Sequence, residues 1–363
     1  MTVKEVMTVL EELAPLHHAE DFDNVGLLVG NPNQKVTGIL VTLDTLENVV
    51  DEAIAKKSNL IVSFHPILFK GIKSLTGKNY VERVLIKAIR HHIAIYSMHT
   101  ALDNSPRGVN AKICEVLGIK NPKILIPKKG SIKKLVTYIP KNEANRVKEA
   151  LFAVGAGNIG NYENCSFSTM GTGSFKPQAH ANPTKGQIGE TNIEEEEQLN
   201  ITYSSDKEHI ILEALFAAHP YEEVAYEVTT LDNLNQNIGM GMIGEIDETD
   251  EQTFMEGVKK KMNTPIIRHS SLLKKSIKRV AVLGGSGAFA IKDALRQNAD
   301  VFISADIKYH QFYEAEGQMV IMDIGHFETE QFTKNLLVDF LTKKIPNFAI
   351  ALSESETNPI KYF

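Results

Sequence analysis

Three apolar, strand-like runs in this chain end in the same way. Ile61-Val62-Ser63-Phe64 leads into His65. Ile93-Ala94-Ile95-Tyr96 leads through Ser97-Met98-His99 to Asp103. Met319-Val320-Ile321-Met322 leads through Asp323-Ile324-Gly325 to His326 and Glu330. In open α/β sheets, ligands bind beyond the carboxyl ends of the strands. Imidazole and carboxylate groups gathered there read as a metal site. The quartet His65, Asp103, His326 and Glu330 is split between the two ends of the chain. Both ends are therefore expected to share one domain.

The rhythm of the chain agrees with that constraint. Residues 1 to about 128 alternate helix-like and strand-like stretches, as a mostly parallel sheet requires. Val36 to Leu43, Leu60 to Phe64 and Ile93 to Tyr96 read as strands, with helices over Glu47 to Lys57 and Tyr80 to His91. Residues 234–363 resume the rhythm, with strands at Lys278 to Leu283, Val301 to Ser304, Met319 to Met322 and Ala349 to Leu352. Helices are expected there over Ala288 to Gln297, Gln311 to Glu316 and Glu330 to Leu341. Residues 129–233 follow another order, β-α-β-β-α-β, which is the split βαβ pattern of a ferredoxin-like domain. Glycines from Gly155 to Gly189 mark its centre. The acidic run Glu194 to Glu197 reads as a solvated face or hairpin edge. The expected fold class is α/β: a discontinuous metal-binding domain with an α+β insertion.

The spacing within the quartet carries chemistry. His326 and Glu330 lie one helical turn apart, so a helix puts both on one face, where they can bind one metal or bridge two. An ordinary exposed polar pair has the same spacing. His65 precedes Pro66 and is held extended at its strand end; a structural histidine would look the same. Asp103 can also cap the turn begun by Asn104-Ser105-Pro106. His99 is open to three roles: a third imidazole, a residue that orients a ligand, or a proton shuttle. Asp306 and His310 follow another strand and are candidate acid/base or supporting groups, with helix capping open to Asp306.

Gly284-Gly285-Ser286-Gly287-Ala288-Phe289-Ala290 follows a strand. Gly285, Gly287 and Ala290 fit the Gly/Ala form of the dinucleotide fingerprint, with Asp306 as the acid roughly 20 residues on. The loop is read as backbone amides of Gly285, Ser286 and Gly287 facing an anion such as a substrate phosphate. A tight strand-to-helix turn is the plain alternative.

Composition narrows the classes. The chain has 363 residues, enough for about two or three domains. A net charge of −6 gives no global basic field for nucleic acid or anionic membrane. No run approaches the ~18 apolar residues of a membrane span. The first residues open an amphipathic helix and not a signal peptide. The two cysteines, Cys114 and Cys165, form no CxxC. They read as buried thiols in a cytoplasmic protein.

Taken together, four segments resemble the NIF-three-like family of dinuclear metal proteins, many of whose bacterial members are called GTP cyclohydrolase 1 type 2 homologues. They are Asp21-Phe22-Asp23-Asn24-Val25-Gly26-Leu27-Leu28-Val29-Gly30, His65-Pro66, His99-Thr100-Ala101-Leu102-Asp103 and Gly325-His326-Phe327-Glu328-Thr329-Glu330. His219-Pro220-Tyr221-Glu222-Glu223 resembles the PII- or CutA-like insertion of the longer members. The resemblance implies two divalent ions per chain (zinc, iron or manganese) on His65, Asp103, His326 and Glu330, and a toroidal homohexamer. Phe64 departs from it, because the family usually has two adjacent histidines before Pro66. One of the two ions is therefore weak, absent, or completed by His99 or water.

Three functions follow as alternatives. One is a metal-dependent hydrolase of a nucleotide or phosphorylated small molecule. Another is a non-catalytic ring protein that binds metal or an effector. The last is an NAD-type enzyme working through Gly285 to Ala290.

Overall fold

A computed structural model describes residues 1–363 and divides them into two compact units. One joins Met1–Pro127 to Gln236–Phe363; the other is Lys128–Asn235.

The larger unit is built on two mixed sheets. In the first, strands run in the order Gly26–Val29, Ala94–Ser97, Leu60–Ser63, Ile39–Thr42, Ile350–Leu352. All but the first pair are parallel. Every residue of the three central strands is buried, as expected for parallel strands covered on both faces. Helices Glu47–Ala55 and Tyr80–Arg90 supply one cover, through Val49, Val50, Val84 and Leu85. Helix Val3–Glu11 packs Val3, Val6 and Leu10 into the core on the other side. A reciprocal capping box starts it: Thr2 Oγ1 accepts from Glu5 N–H, and Glu5 Oε2 accepts from Thr2 N–H.

The second sheet has the order Arg268–His269, Val320–Asp323, Val301–Ala305, Ser276–Ser286, Asn235–Asp250, Lys120–Lys128. Its three central strands, Val320–Asp323, Val301–Ala305 and Ser276–Ser286, are parallel. Two expected α-helices are wholly or partly 3-10. Ala288–Gln297 is a 3-10 turn, Ala288–Ala290, followed by a six-residue helix, Ile291–Arg296. In place of Gln311–Glu316 there is a 3-10 segment, Tyr309–Ala315, with Glu316 just past its end.

The smaller unit pairs four antiparallel strands in the order Ser166–Phe175, Asn192–Ser204, Ile132–Pro140, Tyr226–Leu231. That is the order of a ferredoxin-like sheet. Helices Ala144–Ala153 and Glu208–Ala218 bury Val147, Leu151, Ile211 and Leu215 against Leu135, Ile139, Leu199 and Ile201. The acidic run corrects the expectation of a hairpin edge. It lies inside strand Asn192–Ser204, with three of its four acids ion-paired to lysines. Cys114 is buried as expected, but Cys165 is half-exposed. No helix is long and apolar enough to cross a membrane.

Candidate metal centre

The carboxyl ends of strands Leu60–Ser63, Ala94–Ser97, Val301–Ala305 and Val320–Asp323 deliver the site. His65 follows the first by two residues. Its backbone is fixed by His65 N–H to Leu43 O at 2.9 Å. His99 opens the short helix His99–Asp103, with its N–H on Phe64 O at 2.9 Å. His326 opens helix His326–Glu330, so His326 and Glu330 share one face.

The Nε2 atoms of His65 and His326 lie 3.1 and 3.2 Å from one oxygen, Glu330 Oε2. Ligand atoms of these three residues fall within 4.8 Å of one another, a group that could hold a metal ion. Each imidazole is oriented from behind. His65 Nδ1 is 2.8 Å from Asp44 Oδ1, and His326 Nδ1 is 2.7 Å from Asp306 Oδ2. His99 Nδ1 is 2.8 Å from Asp23 Oδ1, while Asp23 Oδ2 accepts from the N–H and hydroxyl of Thr100. A carboxylate on one ring nitrogen leaves the other free as a ligand, the usual arrangement behind metal-binding histidines.

The donor set fits a cation. Asp103 Oδ1 is shut off from solvent and takes no hydrogen bond, and Glu330 Oε2, equally buried, meets only the two imidazole nitrogens. Buried carboxylate oxygens without partners are costly, and a cation removes the cost. Burial, and then the charge of Glu330, push the Asp103 carboxyl well above its usual range. Burial opposes charge on His65 and His326, yet contacts with Asp44, Asp306 and Glu330 outweigh it. His65 is held at about 10 and His326 at about 9. Glu330 also resists its burial and sits at about 2 between the two imidazoles. Protons on His65 and His326 thus supply the positive charge that a metal would bring.

The glycine loop has a different task from the one its motif suggests. Gly285 N–H donates to Thr329 Oγ1 at 2.9 Å, and Gly284 N–H donates to Asn110 Oδ1 at 3.0 Å. Ser286 Oγ donates to Asp306 Oδ2. A Cβ at Gly285 would stand 2.3 Å from Glu330 Oε1, and one at Gly287 would stand 2.1 Å from Ser304 Oγ. Gly285 thus clears space for the metal-site residue Glu330, and Gly287 clears space for Ser304. Gly285 N–H is therefore engaged within the chain, and Asp306, the supposed ribose acid, serves His326, which tells against the dinucleotide reading.

A model of the Duf34/NIF3 (NGG1p interacting factor 3) family matches residues 1–359. The chain belongs to this family. A Staphylococcus epidermidis NIF3 relative, named GTP cyclohydrolase 1 type 2 homolog, is 36% identical over 369 residues, covering 100% of both chains. A Bacillus subtilis protein of the same name is 33% identical, covering 99% of this chain and 98% of its own. Among solved structures, a Bacillus cereus protein related to NIF3 superposes with a TM-score of 0.83 at 34% identity, covering 100% of this chain and 99% of that one. A Staphylococcus aureus protein does so with a TM-score of 0.80 at 30% identity and the same coverage.

Within this NIF3 fold, Phe64 is fully buried in the main core, its ring 4.9 Å from His65 and 5.6 Å from His99. His310 is not drawn into the site. It lies exposed on the 3-10 segment, its ring against Tyr309 and Tyr313. Two residues escaped the sequence reading. Asp44 follows strand Ile39–Thr42, and the rule of strand ends that found His65 applies to it equally. Asp23 sat inside a family segment without a role. Only the fold brings it to His99, across 76 residues.

Proposed function

We propose that this NIF3-family chain is a metal-dependent hydrolase acting on a nucleotide or phosphorylated small molecule. His65, Asp103, His326 and Glu330 hold its metal. The observation that carries the reading is the convergence of two carboxylate-backed imidazoles on a solvent-excluded carboxylate oxygen. A divalent ion supplies acidity to water near neutral pH and neutralises charge growing on a phosphoryl oxygen. The chain's own residues do the rest. Asp44 and Asp306 fix the rings of His65 and His326, so that Nε2 of each faces the centre. His99, fixed by Asp23 and with its ring centre 5.3 Å from that of His65, is placed to move a proton at its other nitrogen. Asp103, whose buried Oδ1 takes no hydrogen bond, would complete the ligand set. Phe64 puts an apolar ring where the family's second histidine is expected, so a second ion would be held weakly. The printed name of the relatives supports a nucleotide substrate.

The test is turnover. Protein loaded in turn with Mn, Fe or Zn is assayed on a panel of phosphate esters and nucleotides. Turnover of one class, lost in Glu330→Ala, supports the reading. Fully metal-loaded protein that turns over none of them favours a non-catalytic, effector-binding ring protein. A hollow in the smaller unit supports that second reading. Either reading carries a homohexamer. Its support is the exposed edge strand Ser166–Phe175, since unpaired edges invite pairing between chains.

A further inference from the structure

Exposed aromatic rings wall the mouth of the metal centre. Phe69 follows His65 on the loop that leaves strand Leu60–Ser63. Its ring stands across that of His99, with centres 6.1 Å apart and planes at 81°. Phe22 continues the surface, its ring centre 6.5 Å from that of Phe69. His99 is itself 5.3 Å, ring centre to ring centre, from His65. The apolar surface therefore begins at the site and runs outward from it.

Both rings are held by the loops that build the site. Asp23, whose side chain is fully buried, fixes His99 through Oδ1 and Thr100 through Oδ2. Phe22, next to it in the chain, is left 67% exposed. The turn around them is closed by Asp23 N–H to Glu20 O at 3.0 Å and Glu20 N–H to Thr100 Oγ1 at 2.9 Å. Asn24 donates its side-chain amide to Leu68 O, which ties this turn to the residue before Phe69. The far end of the Phe69 loop is clamped as well. Glu82 Oε2 accepts from the N–H groups of Thr76, Gly77 and Lys78 at 2.7 to 3.2 Å. Phe69, between these anchors, is 46% exposed. Two large apolar rings on tied loops, open to water, carry a cost that a ligand covering them would remove. Small-molecule sites use such preformed aromatic surface beside a few polar groups.

We infer that Phe22 and Phe69 select the substrate of the metal centre, and that it is an aryl phosphate whose ring lies on them. The phosphate rests on the hydrolase reading above; the ring rests on this wall alone. A planar ring gains from stacking or edge contact on aromatic faces in a way that an alkyl chain does not. The wall starts at His99, so the ring belongs close to the reacting bond. Hydrolysis then breaks the bond from phosphorus to the aryl oxygen. The oxygen of water goes to phosphorus, and one of its protons goes to the departing oxygen. The wall belongs to the larger unit, whereas the edge strand Ser166–Phe175, on which the contact between chains rests, belongs to the smaller.

Calorimetric titration of the metal-loaded, full-length protein tests it, with the non-hydrolysable probes naphthylphosphonate and methylphosphonate. Naphthylphosphonate is expected to bind at least about tenfold more tightly. Phe69→Ala should weaken it about tenfold and Phe22→Ala about threefold. Methylphosphonate binding, metal content and solution mass should stay unchanged in both. Phe69→Tyr keeps a ring and should keep most of the affinity. Tyr162→Ala, which removes a comparably exposed ring of the smaller unit, should change nothing. Equal affinity for the two probes overturns the inference. So does a preference for the naphthyl group that survives Phe22→Ala and Phe69→Ala together. A fall in solution mass in either variant also overturns it, because the rings would then be a contact between chains. Ring-dependent binding without any hydrolysis of naphthyl phosphate would uphold the wall as the seat of the ring and remove the hydrolase reading alone.

Discussion

Gly285 owes its identity to Glu330: a methyl group on its α-carbon would meet Glu330 Oε1 at 2.3 Å. The backbone there also has φ of +66°, a conformation that side chains adopt only under strain. Gly285→Ala is therefore expected to lower bound metal by displacing Glu330, with a stability loss of about 1–3 kcal/mol. Metal analysis beside thermal melting checks this. Lost stability with full metal content would detach Gly285 from the site.

The carboxylates behind the rings make a second test. Asp44→Asn and Asp306→Asn keep every proposed ligand but loosen the rings of His65 and His326. Metal affinity should fall by about 10–100-fold in each. Asn in place of Asp293, on the neighbouring helix Ile291–Arg296, should change nothing. Competition titration with a chromogenic chelator gives the affinities.

Much of this was legible in the chain, for a physical reason. Parallel strands are apolar throughout, so they stand out, and the residues just beyond them are where such sheets place ligands. His65, His326 and Glu330 were found that way. The failures share a cause as well. Gly285, Gly287 and Asp306 satisfy a dinucleotide pattern because both uses need backbone to approach closely at a strand end. Spacing alone cannot say whether a cofactor or the chain's own Glu330 fills the space. Asp23 is invisible for another reason: only tertiary packing brings it 2.8 Å from His99.

Metal-free protein should show a characteristic pH dependence. His65 at about 10 and His326 at about 9 stand above the ~6.5 of an unfolded chain. Asp44, Asp306, Glu330 and Asp103 surround them. Groups raised in this way add stability that is complete below about pH 6.5 and disappears as pH rises through 9 to 10. The melting temperature of chelator-treated protein should fall across that interval, while metal-loaded protein varies less. Metal binding should release protons, because ligation needs neutral rings. A metal-free melting temperature that climbs from pH 7 to 10 would contradict this electrostatic account.

Glu52 acts at the acid end. It accepts from Ser353 Oγ, Glu354 N–H, Ser355 N–H and Ser355 Oγ at 2.7 to 3.1 Å, tying the end of strand Ile350–Leu352 to helix Glu47–Ala55. Burial works against its charge, but these bonds and Lys56 hold it at about 2. Its contribution is present above about pH 4.5 and is lost as pH falls toward 2. Glu52→Gln should cost about 1–3 kcal/mol at pH 7 and far less near pH 2.5. Equal losses at both pH values would mean that the charge is irrelevant.

The most direct measurement is the number of metal ions retained per chain after dialysis, by elemental mass spectrometry. Wild type is expected to keep fewer than two tightly bound ions, and Phe64→His to raise that number. His65→Ala, Asp103→Ala, His326→Ala and Glu330→Ala should each lower it while remaining folded. Two firmly bound ions in wild type would contradict the role given to Phe64. Unchanged metal content in all four alanine variants would contradict the metal centre itself, and the hydrolase reading with it.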